Sequence, residues 1–246
     1  MSRKLNLGDN ILPLRNVALL SGLIKRVEQR RWGLPGMAVF HGKTGHGKTY
    51  ACSGAVVGMD VIHISVQQLW NKKKLMTSIL RELQMPQTGT LADLMERCNE
   101  GLAIADRTLI IDEADYAVDR GMIEMIRDMH DGSGASIILV GMEQLPQKLK
   151  KWELVDGRIL AWVGAEPADF QDAKLMANWY AKGITLDDAL IEKVRTENNG
   201  SARRMSVDFA HVLDCAHQSG QTTMTLDAWG DAPFLRGEAP VAREGL

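Results

Sequence analysis

The sequence predicts a doubly wound α/β domain, a five-stranded parallel sheet flanked by helices, followed by a small all-helical unit. Three observations carry this. Short apolar runs alternate with helix-period stretches as far as Val163. Met37-Ala38-Val39-Phe40 leads directly into the glycine-rich segment Gly42-Lys43-Thr44-Gly45-His46-Gly47-Lys48-Thr49. Beyond Pro167 the strand signals cease and only helical patterns remain.

Residues 16–31 have helical periodicity, and 37–41 read as the first strand. A helix then begins near Lys48 and ends near Gly58, and Val61 to Val66 forms a second strand. Leu75, Met76, Ile79, Leu80 and Leu83 recur at helical spacing behind Lys72-Lys73-Lys74, and Pro86 to Gly89 stops that helix. Thr90 and Asp93 have the spacing of a capping box, opening a helix whose face holds Leu91, Leu94, Met95, Cys98 and Leu102. Strands follow at 108–112, 136–140 and 159–163, separated by a helix around 120–130 and a basic helix reaching Trp152. Helices at 168–181, 186–197 and 202–218 complete the pattern, with turns at Gly183 and Asn198-Asn199-Gly200. After Gly220 the chain turns polar, with Trp229 and Phe234 as anchors. The expected divisions are a basic N-terminal segment (1–35), the α/β domain (36–166), the helical lid (167–219) and a tail (220–246).

With 246 residues, 45% hydrophobic and 24% charged, the chain can bury a full core. No apolar stretch approaches the roughly 20 residues of a membrane span, and no signal-peptide pattern opens the sequence, so a cytoplasmic protein is expected. The three cysteines, Cys52, Cys98 and Cys215, are far apart in apolar surroundings and read as buried thiols. The six histidines show no ligand spacing, and His46 reads as a tolerated variable position.

The chemistry lies in two motifs. Residues 42–49 match the G-x-x-x-x-G-K-[ST] phosphate loop without mismatch. Its glycines let backbone N–H groups and a helix N-terminus face phosphates. Lys48 is placed to reach the β- and γ-phosphates of ATP and Thr49 to take a position on Mg²⁺. The expected nucleotide-binding set is Gly42, Lys43, Thr44, Gly45, His46, Gly47, Lys48, Thr49 and Tyr50. The second motif, Leu109-Ile110-Ile111-Asp112-Glu113, reads as a buried strand ending in two acids. Asp112 suits Mg²⁺ through water, and Glu113 suits orienting the attacking water. Asp112-Glu113-Ala114-Asp115 also spells a helicase signature, but no second strand–helix lobe follows, so Asp115 reads as a helix-start residue.

Net charge is only −2, so the distribution says more than the sum. Arg3, Lys4, Arg15, Lys25, Arg26, Arg30 and Arg31 crowd the first 31 residues, and Lys72-Lys73-Lys74 and Lys148, Lys150 and Lys151 form further clusters. Such runs are ordinarily solvated faces and gain weight only where the fold gathers them.

A five-stranded nucleotide domain with a helical lid resembles the AAA+ ATPases. Asn199-Gly200-Ser201-Ala202-Arg203-Arg204 looks like the opening of their sensor-2 helix, which implies that Arg203 leans onto the γ-phosphate. Arg158, just before the last strand, is placed like an arginine finger offered to a neighbouring subunit, which implies an oligomer. Within that superfamily residues 10–218 most resemble the target-DNA activators of Mu-like transposable phages, with TnsC-type regulators and IstB-type helpers as wider relatives. The likeness rests on Leu34-Pro35-Gly36-Met37-Ala38-Val39, the 109–115 segment, Ile138-Leu139-Val140-Gly141 and Gly200-Ser201-Ala202-Arg203-Arg204.

The resemblance implies a slow ATPase that oligomerises as a helical filament or ring on double-stranded DNA without sequence preference. It further implies delivery of that target DNA to a DDE transposase in the host cytoplasm. Two departures stand out. The stretch before residue 37 is too short for the separate DNA-binding domain of the Mu protein, so contact is expected from the ATPase body. Met142 occupies the place of a polar sensor-1 residue and cannot donate a side-chain hydrogen bond. Lys72, Lys73 and Lys74 are the first candidates for DNA contact, and Lys150 and Lys151 the second. A helicase-loader or initiator ATPase, an ATPase acting on a protein without DNA, and a small-molecule kinase are the competing readings.

Overall fold

A computed structural model describes residues 11–235. Arg3 and Lys4 of the basic N-terminal run, and the end of the expected tail, lie outside them. The described residues form two compact units that divide between Glu166 and Pro167.

In the first unit five strands, β1 (Met37–His41), β2 (Val61–Ser65), β3 (Thr108–Asp112), β4 (Ile137–Gly141) and β5 (Ile159–Gly164), pair in parallel in the order β2-β3-β4-β1-β5. All five expected strands are present. Each is followed or preceded by helices: α1 (Arg15–Glu28), α2 (Lys48–Gly58), α3 (Lys72–Glu82), α4 (Leu91–Ala105), α5 (Ala114–Asp119), α6 (Ile123–Ser133), α7 (Leu145–Leu149) and α8 (Glu153–Asp156). The capping box expected at Thr90 and Asp93 forms, with Asp93 accepting from the Thr90 N–H at 2.8 Å and Thr90 from the Asp93 N–H at 3.2 Å.

Burial on both faces explains the unbroken apolar runs. Met37, Val39, Leu109, Ile111, Ile137 and Leu139 point into one core with α3, α4 and α6. The alternate residues Ala38, Phe40, Ile110, Ile138 and Val140 point into another, packed by Leu20, Ile24 and Val27 of α1 and Ala51, Cys52 and Ala55 of α2. Thus α1, part of the expected N-terminal segment, is a component of the α/β unit. The helix expected around 120–130 is α6, and a further short helix, α5, precedes it, the two separated by a turn at Gly121, whose φ is +63°.

The second unit contains α9 (Phe170–Tyr180), α10 (Asp188–Glu197) and α11 (Ala202–Gln218). Asn199 and Gly200 both take positive φ, 49° and 66°, and a Cβ on Gly200 would stand 2.7 Å from Pro167 Cβ. The turn therefore needs glycine twice over, for its dihedral and for the close approach. Helices do not make up the whole unit: Thr185–Leu186 and Thr223–Met224 pair in parallel as β6 and β7, followed by α12 (Leu226–Trp229). Trp229 and Phe234 are buried and stack at 5.3 Å, so the segment after Gly220 is fastened by the two aromatics.

Candidate nucleotide site

The phosphate loop leaves the carboxyl end of β1, in the interior of the sheet, and enters α2. Gly45 and Gly47 have φ of 88° and 82°, the left-handed region that side chains resist. Gly42 is favoured for another reason: a Cβ there would lie a tight 3.0 to 3.3 Å from Ala165, including its backbone N and O. Lys48 Nζ donates to the carbonyls of Gly42 at 2.7 Å and Lys43 at 2.9 Å, so its ammonium group lies within the curl of the loop. Lys43, Thr44 and Thr49 are exposed. Tyr50 has its hydroxyl 2.5 Å from the Leu12 N–H that donates to it.

Asp112 closes β3, and its Oδ1 accepts from the Glu113 N–H at 2.9 Å. Glu113 has φ 55° and ψ 39°, left-handed for a non-glycine residue, and this turn swings the chain from strand to α5. Such backbone strain concentrates at functional sites. Before the loop stands His41. Burial pulls its pKa down, Glu143 pulls it partly back and Lys48 pushes it down again, which keeps the imidazole neutral at neutral pH.

Three features escaped the sequence. Asn16 of α1 is buried; its amide donates to the carbonyls of His46 at 2.7 Å and Glu166 at 2.8 Å, and its oxygen accepts from the Glu166 N–H at 3.0 Å. His46 is thus held through its backbone, and its Nδ1 also lies 3.4 Å from the Ala165 carbonyl oxygen. Asp115 starts α5, but it is also buried, accepts from the Met142 N–H at 2.6 Å and pairs with Lys148 at 3.2 Å. Gly141 leaves space for it, since a Cβ there would collide with Asp115 Oδ2. Arg30 donates to the carbonyls of Val27 and Gly134 and to Ser136 Oγ, over the bare face of Gly36. Arg30 and Lys148 are therefore structural cations.

A family of AAA domains matches residues 30–149. No protein of curated function matches the sequence. Among solved structures, the Aeropyrum pernix ORC2 protein, determined as ADPNP–ADP complexes, is similar at 16% identity and TM-score 0.64, over 88% of this chain and 66% of that one. Cdc6p from Pyrobaculum aerophilum is similar at 16% identity and TM-score 0.61, over 84% and 62%. The Aeropyrum pernix ORC1 protein in complex with DNA is similar at 17% identity and TM-score 0.58, over 87% and 63%. The fold is that of the AAA+ P-loop NTPases. The chain spans a little under two thirds of the length of these three structures taken together, 66%, 62% and 63%.

The AAA+ fold implies a nucleotide, typically with Mg²⁺, and the donor set fits both. The two positive-φ glycines and the α2 N-terminus suit phosphate oxygens, the Thr49 hydroxyl is exposed, and Asp112 adds a carboxylate. Of the other expected residues, Arg158 sits in the turn just before β5 and binds Asp131 in bidentate fashion at 2.8 and 2.9 Å. Its guanidinium is thus engaged within its own chain. Arg203 is exposed in the first turn of α11, in the second unit. Lys72 and Lys73 are exposed in the first turn of α3, where Asn71 caps the Lys74 N–H at 2.9 Å, and Lys74 Nζ lies 5.5 Å from the Trp70 ring centre. Lys150 and Lys151 are exposed after α7.

Proposed function

We propose that the protein is an ATPase whose ATP-bound form binds double-stranded DNA without sequence preference and oligomerises on it. Support for hydrolysis comes from the joining of the two motifs at the carboxyl ends of β1 and β3, strands separated only by β4. In this reading Lys48 and the loop amides hold the β- and γ-phosphates. Thr49 and, through water, Asp112 would hold Mg²⁺, which would supply charge neutralisation at the phosphates. Glu113 orients a water for in-line attack. Arg203 and, from a neighbouring subunit, Arg158 add positive charge as the transition state develops. Before acting on a neighbour, Arg158 exchanges Asp131 for a phosphate. Met142 offers only its backbone to Asp115, which supports slow hydrolysis and a long-lived ATP state.

The DNA half rests on one observation. Three consecutive lysines occupy the first turn of α3, and no acid accompanies them. Cations at a helix N-terminus oppose the helix dipole, by about 0.3–1 kcal/mol each at exposed positions. Phosphates docked there turn that opposition into attraction, without reading any base. Lys150 and Lys151 are the second contact set. In the fullest form of this reading the assembly presents target DNA to a DDE transposase. An initiator or helicase-loader role is the second reading, favoured by the similarity to ORC1 solved with DNA.

The deciding experiment is duplex-DNA binding across a salt series with ATP, ADP or neither, with Lys48→Ala as control. ATP-dependent, sequence-indifferent binding that falls steeply with salt is expected. Absence of DNA binding in every nucleotide state would leave an ATPase acting on a protein partner. Given DNA binding, stimulation of strand transfer by a transposase or retention of a replicative helicase separates the two roles.

A further inference from the structure

We propose that Cys52, His63 and Asp112 form a binding site for a borderline-soft divalent cation of the zinc type, directly beside the nucleotide site. Strand alternation places His63 with Val61 on the sheet face that α2 covers. Its register partner Ile110 and the next residue on that face, Asp112, lie on the neighbouring strand. Cys52 lies on α2, one turn beyond Lys48. One ligand atom from each of the three residues lies within 4.8 Å of the others.

Geometry of this kind also arises in ordinary cores, but two further facts point to a ligand. Asp112 is 2% exposed, and its Oδ2, the oxygen that the Glu113 N–H leaves over, has no hydrogen-bond partner among the described residues. His63 Nε2 is likewise buried and unpartnered, and the two atoms face each other at 4.0 Å, too far for a hydrogen bond. Buried polar atoms are nearly always satisfied, so two orphans converging beside a thiol define a place for something that accepts lone pairs.

The chemistry selects the ion. Mg²⁺ takes oxygen ligands in octahedral geometry and has no use for a thiol or an imidazole. Zinc takes sulfur, nitrogen and oxygen together, and three protein ligands with one open position is a familiar zinc arrangement. Burial lowers the His63 pKa, with Asp112 and then Glu82 opposing, which favours the neutral imidazole that ligates. Burial also pushes the Cys52 thiol well up, so the metal binds thiolate by displacing a proton to solvent.

The site stands independently of the proposed function, but its consequence rests on that reading: a cation held through Asp112 Oδ2 competes for the residue assigned to Mg²⁺. Zinc is then an inhibitor of hydrolysis that acts from beside the nucleotide.

Cobalt(II) is the probe, added to the full chain without nucleotide. A thiolate-to-cobalt charge-transfer band is expected at one cobalt per chain, displaced by zinc. The band should vanish in Cys52→Ala and shift or weaken in His63→Asn, with circular dichroism confirming that each variant is folded. Absence of the band in the wild type overturns the proposal, as does its survival in Cys52→Ala. If Cys52→Ala does not fold, an unchanged spectrum in His63→Asn overturns it alone. Since the band is read without ATP or DNA, failure of the ATPase or DNA reading leaves the result standing.

Discussion

Asn16 holds the phosphate loop by the backbone of His46, through a 2.7 Å hydrogen bond that links the first helix to a residue 30 positions away. The same side chain clamps both backbone groups of Glu166, 150 positions away and the last residue of the first unit. One amide thus fixes the loop and the end of the α/β unit together.

Asn16→Ala removes all three bonds and leaves partly buried backbone groups unpaired. An unsatisfied buried group costs about 1–3 kcal/mol. Urea denaturation should show a loss in that range, and binding of a fluorescent ATP analogue should weaken. Asn16→Asp keeps an acceptor for the Glu166 N–H but sets a carboxylate against two carbonyls, so it should not rescue affinity. Unchanged affinity in both variants would remove Asn16 from the account of the site.

Replacing Lys72, Lys73 and Lys74 together by alanine should weaken DNA binding uniformly across sequences. Each lost phosphate contact lowers the slope of log K against log salt by about 0.9. A reduction of roughly 2 to 3 is expected if all the lysines touch phosphates. The helix itself should be no less stable, because the substitution relieves the unfavourable dipole interaction. An unchanged slope assigns DNA contact elsewhere.

Arg158 offers a test of sharing between subunits. Lys48→Ala destroys a site but keeps a finger, whereas Arg158→Ala does the reverse. Each variant should be inactive alone, and mixing them should restore part of the ATPase activity through hybrid assemblies. No recovery on mixing would confine Arg158 to its pairing with Asp131.

In the second unit Asp208 is 1% exposed and accepts from Asn198 Nδ2 at 2.6 Å. Burial raises its pKa above the usual 3.8, with the Asn198 hydrogen bond opposing. The folded state therefore holds the proton longer than the unfolded state. Its contribution to stability is fully present below the unfolded value and declines as pH rises through the raised native one. Asp208→Asn, which cannot ionise, should gain stability relative to the wild type as pH rises from about 4 to about 7. Parallel denaturation profiles would mean that this carboxylate is not penalised by burial.

The burial that penalises Asp208 could not be read from its neighbours in the chain, whereas much else could. The phosphate loop was legible because its demands are local. Gly45 and Gly47 need positive φ within one turn, and Lys48 reaches carbonyls five and six residues behind it. Asp112 and Glu113 were legible because a strand buried on both faces must be apolar, so acids at its end stand out. The helix opening at Thr90 declared itself through a capping box four residues long.

What stayed hidden involves partners distant in sequence. Asp115 reads as a helix start until Gly141 and Met142 are placed beside it, and Lys148 reads as part of a basic patch until it meets Asp115. Arg30 looks like a surface charge until Gly134 and Ser136 surround it, 104 and 106 residues on. The pairing of Thr185–Leu186 with Thr223–Met224 is too short to leave a periodic signal. Cys52 and His63 reveal no ligand spacing, since the spacing that matters is across the sheet rather than along the chain. By itself the sequence determined the five strands of the sheet, the long helices, the phosphate loop and the acids at the strand end, because backbone dihedrals and two-sided burial act between neighbours. Only the tertiary structure decided which charges are engaged and which backbone groups hold the loop, because those partners meet only once the parallel crossovers have ordered the strands.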